Sequence, residues 1–285
     1  MNPRRAGADR AARRGGPVGP ALLLLATAAL VISSAAASAV APNGNQLRPF
    51  TGTVTPFDAI STAGCGGKGK MFAAPSFSLT TGHGRLLNAS TSARVCKAYS
   101  QDYAEVDGGF QLAINLTTVK GTNRLYVNGS YAVNGSVALT PGTCTITGSP
   151  SYADCQTEAS IVVFGYADLV DVSTSREYAL GPIVNVSKTV LNSTYWSGSG
   201  ISYSSAGTSG PLSVTGTFAR VAAVVPAMYK HDHYQLLLTI KADTIAEVIT
   251  DHFGGRVTLT GAVASTTLEM AGHGHGFTLT SIGES

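Results

Sequence analysis

The chain has 285 residues and a mass of 29.1 kDa, and it is 44% hydrophobic but only 12% charged, against about 25% charged residues in an average soluble domain. Its polarity comes from 31 Thr, 28 Ser and 33 Gly, a balance that excludes an acidic or basic disordered chain and suits β-structure outside the cytoplasm. The formal charge of +3 is carried by the first 39 residues, which hold five of the 19 basic and one of the 16 acidic residues; 14 and 15 remain beyond them, a net charge of −1. No nucleic-acid partner is expected, because that needs clustered cations.

Residues 1–39 carry the marks of a secretory signal helix. Arg4, Arg5, Arg10, Arg13 and Arg14 precede an apolar run at 21–32, and small residues then offer an A-x-A site at Ala37, Ser38 and Ala39. The mature chain is expected to begin near Val40 and to form a single β-sandwich domain over 40–285. Left uncleaved, the same segment is long enough to anchor the chain, and that is the only membrane contact expected.

The stretch 64–71 (GCGGKGKM) matches G-x-x-x-x-G-K, yet Met71 stands where a phosphate-binding loop needs a magnesium-ligating Ser or Thr. It is read instead as a Gly-rich loop tethered by a disulfide. Cys65, Cys96, Cys144 and Cys155 all lie in the exported part, an even number in an oxidising setting. Sequential pairing, Cys65 with Cys96 and Cys144 with Cys155, closes the shortest loops. The spacings are too long for a four-cysteine zinc site.

Asp102, Glu105 and Asp107 precede Gly108-Gly109 and are expected in an acidic turn. Beyond it Phe110, Leu112, Ile114 and Leu116 alternate with polar or small residues, the clearest strand signal in the chain. Asn128-Gly129 and Asn134-Gly135 then predict two tight hairpin turns separating short strands at 124–127, 131–133 and 137–140. Further strands are expected at 161–168, 182–189, 212–219, 234–240, 257–260, 264–270 and 277–282. Between the last of these, Thr244 and Glu247 form a capping box, and Ile245, Val248, Ile249 and Phe253 follow helical spacing before Gly254-Gly255. One short helix is therefore predicted there. The fold expected is an all-β antiparallel sandwich, jelly-roll-like or Greek-key.

Six Asn-x-Ser/Thr sequons, at Asn88, Asn115, Asn128, Asn134, Asn185 and Asn192, use six of only ten Asn and make the chain a candidate glycoprotein. Tyr195, Trp196 and Tyr203 fall in a Gly/Ser-rich stretch and are candidates for an aromatic binding platform. Five of the six His (His231, His233, His252, His273 and His275) fall in the last 55 residues, with two His-x-His pairs. On a strand such a pair can turn two imidazoles toward one Zn²⁺ or Cu²⁺. No G-x-S-x-G elbow and no H-E-x-x-H helix is present.

These features predict an exported or cell-surface sandwich acting as a structural, adhesive or ligand-binding module, with no cofactor and an extracellular or envelope partner. The competing reading is an extracytoplasmic metal-dependent enzyme or metal-binding protein built on the C-terminal histidines.

Overall fold

In a computed structural model, the structure describes residues 46–47, 49–96, 100–116, 125–198, 200–221, 233–271 and 275–284. The signal segment lies outside these residues, as do His231 and His273. Among the described residues seventeen strands follow in chain order: β1 (Gln46–Leu47), β2 (Gly52–Ala63), β3 (Lys68–Ala73), β4 (Ser76–Ser78), β5 (His83–Arg85), β6 (Asn88–Arg94), β7 (Gln101–Asn115), β8 (Leu125–Thr140) and β9 (Thr143–Thr147), then β10 (Tyr152–Asp171), β11 (Arg176–Ser197), β12 (Gly200–Ala206), β13 (Gly210–Val221), β14 (Tyr234–Phe253), β15 (Arg256–Thr260), β16 (Val263–Glu269) and β17 (Gly276–Glu284). All pairings are antiparallel.

Two large sheets form a sandwich-like arrangement. A six-stranded sheet runs β12-β11-β10-β14-β7-β2, and a nine-stranded sheet runs β3-β6-β16-β8-β17-β5-β4, with β13 on β8 and β1 on β17; β9 and β15 form a small third sheet. The cause is an alternation of period two sustained over unusual lengths. In β14 Tyr234, Leu236, Leu238, Ile240, Ala242, Thr244, Ala246 and Val248 are buried, while the residues between them are half-buried. β7 and β10 repeat the pattern from the other side of the pairing. Their inward side chains meet those of β6, β8, β16 and β17 in one continuous core, and each fully buried aliphatic or Phe side chain contributes about 1.5–3 kcal/mol.

Four phenylalanines mark the core at one end. Phe110 packs at 5.2 Å from Phe77 and 6.2 Å from Phe277, and Phe277 stacks on Phe218 at 5.3 Å between ring centroids. Buried hydroxyls are paired: Thr91 and Thr266 share a hydrogen bond of 2.7 Å across β6 and β16, and Thr244 donates to the Val106 carbonyl at 3.2 Å. Each such bond spares a desolvated polar group.

Three expectations need correction. The short helix at 245–253 is the second half of β14. Its i, i+3, i+4 apolar spacing coincides with a β-branched strand, and the residues of its supposed capping box are engaged elsewhere: Thr244 with Val106, and Glu247 as acceptor from Gln101 Nε2 at 2.6 Å. Bonding on both sides to β7 and β10 outweighs a local helical signal.

The two Asn-Gly hairpins are likewise absent, and 125–140 is one continuous strand. Asn-Gly permits a left-handed turn without requiring one. Here the glycine makes room: a Cβ on Gly129 would run into the Phe218 ring and the Thr278 carbonyl oxygen. The acidic turn is also strand. Asp102, Glu105 and Asp107 all sit in β7, Asp102 facing inward and the other two outward.

Candidate interaction surfaces

The two disulfides are Cys65 with Cys96, Cα atoms 5.9 Å apart, and Cys144 with Cys155, Cα atoms 6.1 Å apart. The first lies at the tip joining β2, β3, β6 and β7. There the chain turns through Gly64 at φ +73°, and the carboxylate of Asp102, 2% exposed, accepts from the Gly66 amide through Oδ1 and from the Cys96 amide through Oδ2, each at 2.7 Å. The supposed phosphate-binding loop is thus a disulfide-and-carboxylate brace whose last residues enter β3. Cys65, Cys96 and Asp102 are, among the described residues, the one group whose ligand atoms lie close enough to hold a metal ion. Bonded sulfurs and a carboxylate committed to two amides make them a structural knot instead. Two disulfides point to an oxidising, extracytoplasmic environment.

Among the described residues, the candidate histidines His233 and His252 do not meet. His233 precedes β14 and His252 is next to its last residue, so 19 residues of extended chain, about 60 Å at 3.3 Å per residue, separate them. His275 precedes β17 and its Nε2 lies 3.1 Å from Asn134 Nδ2.

The aromatic candidates divide between two faces. Tyr195 and Trp196 are consecutive on β11 and point to opposite sides of the sheet. Tyr195 lies on the outer face and packs edge-on against Tyr152 at 5.5 Å. Trp196 points the other way and donates its indole N–H to the Pro150 carbonyl at 2.9 Å. Tyr203, opposite Thr194 on β12, shares the Trp196 side and is 76% exposed.

The sequons sort by what their side chains do. Asn115 and Asn185 are exposed; Asn88 and Asn192 are half-buried. Asn128 donates to Ser281 Oγ at 3.1 Å, and Asn134 meets His275.

A feature that sequence reasoning missed is the distribution of charge between the two outer faces. The outer face of the six-stranded sheet carries Glu105 and Asp107 on β7, and Asp243, Glu247 and Asp251 on β14. To these β10 adds Asp154, Glu158 and Asp168, and β11 adds Glu177. Lys241 is the only cation on that face among the described residues, 3.7 Å from both Asp107 and Asp243. The outer face of the nine-stranded sheet is a carpet of Ser, Thr and Asn bearing Lys68, Lys70, Arg85 and Arg94 against Glu269.

Crowding of carboxylates shifts their protonation. Burial, with the Glu105 carboxylate beside it, pushes Asp243 up to about 6, and one of its oxygens has no hydrogen-bond partner. Burial also raises Asp154 and Asp168. Tyr152 is pushed up to about 12 by burial and by Asp154 and Asp251. Tyr103 donates to Glu105 and is raised still further by burial and that carboxylate. A signal was available in sequence: 105 and 107, like 243, 247 and 251, share one parity and so one face of a strand.

No family model matches the chain, and no curated protein matches it.

Proposed function

We propose that the chain is exported and works outside the cytoplasm as a non-catalytic surface module over 40–285, structural or adhesive in role and binding through the outer faces of its sheets. The observation that carries this reading is the contrast between a close-packed core, with two disulfides at its margins, and two broad outer faces of opposite charge character. The side chains capable of chemistry support it as well: His233 and His252 sit at opposite ends of β14, and the buried Asp102 carboxylate is held by two amides. Charged faces of this breadth suit recognition of another surface, where complementary potentials set partner choice and approach.

The test is protease shaving of intact cells that make the protein, followed by peptide mapping without reduction. Peptides of this chain released from whole cells, with Cys65–Cys96 and Cys144–Cys155 still bonded, are the expected result. Recovery of the protein in the cytosol with four free thiols would overturn the reading.

A further inference from the structure

We infer that copies of this chain associate head to tail, the carboxylate face of the six-stranded sheet of one copy seated on the cationic, hydroxyl-rich face of the nine-stranded sheet of the next. This rests on the surface-module reading and names its partner as a second copy. The first argument is the cost of the carboxylate face in a lone molecule. Three acid pairs stand directly opposite one another across strands: Asp107 with Asp243 on β7 and β14, and Asp154 with Asp251 and Glu158 with Glu247 on β10 and β14. Like charges so placed destabilise a sheet, and among the described residues one ammonium, that of Lys241, faces the nine carboxylates. A cationic surface laid over them offsets that repulsion.

The complement is present on the same molecule. Lys68, Lys70, Arg85 and Arg94 are exposed on the opposite outer face against a single described acid, Glu269. Their long side chains can reach carboxylates while the Ser and Thr carpet between them supplies hydrogen-bond donors. The six strands together hold 96 residues, a footprint on the order of 1,500 Å² from strand rise and spacing. That exceeds the about 800 Å² per partner of a stable interface.

Geometry selects the mode. Two carboxylate faces repel, so a symmetric contact through them is disfavoured and the contact is heterologous, which continues past a dimer into a ring or an open assembly. Growth edge to edge is blocked on one side, because edge strand β2 carries Pro56, which has no amide to donate. Asn115 and Asn185 lie on the carboxylate face, and Asn88, Asn128 and Asn134 at outward positions of the opposite sheet, so assembled protein must carry no glycan at these five sites.

The test is sedimentation velocity on the natively expressed protein with its disulfides intact, over a range of concentrations at about 50 and about 500 mM salt. Concentration-dependent species larger than a dimer are expected at low salt, weakened about tenfold or more at high salt. Asp251→Lys with Glu177→Lys in one variant, and Lys68→Glu with Lys70→Glu in another, should each associate at least about tenfold more weakly alone. Mixed, they should form a one-to-one dimer that does not extend, since one intact face remains on each. Circular dichroism checks that both are folded, and Asp251→Asn with Glu177→Gln gives a milder version of the first. A monomer at every concentration, a salt-insensitive oligomer, a mixture that fails to pair, or a glycan on Asn88, Asn115, Asn128, Asn134 or Asn185 would each overturn the inference. None of these outcomes bears on whether the chain is exported, which the shaving experiment decides separately.

Discussion

Asp102 joins two segments that lie on either side of the first disulfide. Buried at the disulfide tip, its two oxygens satisfy amides from the segment before β3 and the segment after β6. Removing the acceptor leaves the Gly66 amide unsatisfied in a buried site and the Cys96 amide in a half-buried one, and an unsatisfied buried donor costs about 1–3 kcal/mol. Asp102→Ala should therefore destabilise the protein by about 2–4 kcal/mol in chemical denaturation. Asp102→Asn, which keeps one acceptor oxygen, should lose about half of that. Equal stability of wild type and Asp102→Ala would show that the brace contributes nothing. The neighbouring Gly64 belongs to the same device, since its φ of +73° suits glycine and a Cβ there would strike the Asp102 carboxylate.

At the scale of elements, each disulfide anchors a strand the ladders hold weakly. Cys144–Cys155 ties the small β9–β15 sheet to central strand β10, and Cys65–Cys96 ties the β2–β3 tip to the end of β6. With the partners 31 and 11 positions apart in sequence, chain entropy predicts losses of about 4 and about 3 kcal/mol on removing them. Cys65→Ser with Cys96→Ser should thus be the more destabilising pair, and the reverse order in thermal melts would show that native contacts, not loop closure, dominate.

The elements also show what was legible in sequence. The alternation at 110–116, the strands at 161–168 and 182–189 and the sequential cysteine pairing follow from period two and loop length, which are local properties. The helix expected over 245–253 and the turns at Asn128-Gly129 and Asn134-Gly135 went wrong for a shared reason. Each local signal was real, but the neighbours that overrule it, β7 and β10 for the first, β13, β16 and β17 for the second, lie about 70 to 150 residues away in the chain. The charged faces were hidden in the same way, because acids from four strands converge only once the register is known.

For the whole molecule, the carboxylate face links stability to pH. Asp243 titrates near 6 in the folded chain against an ordinary 3.8. Between those values the folded protein therefore holds a proton that the unfolded chain has released. Stability falls as pH rises through such a window: the penalty for ionising Asp243 is fully present above about 6 and gone below about 3.8. Asp154 and Asp168, also raised, act in the same direction. Asp171, lowered by its hydrogen bond from Thr174, acts oppositely and withdraws its contribution only as pH drops below the ordinary carboxylate range. The melting temperature should accordingly rise as pH is lowered from 7 to about 4.5 and turn down below that. The partial exposure of the face screens the Asp243 effect to about 1 kcal/mol, so Asp243→Asn should raise the melting temperature at pH 7 by about 2–4 °C and flatten the pH dependence. Self-association must move the other way over the same interval, because protonating the face removes the charge that attracts the next copy. A protein that grows both more stable and more strongly associated from pH 7 to 5 would contradict the electrostatic origin of the contact, whereas opposed trends, both flattened in Asp243→Asn, would trace stability and assembly to the same carboxylates.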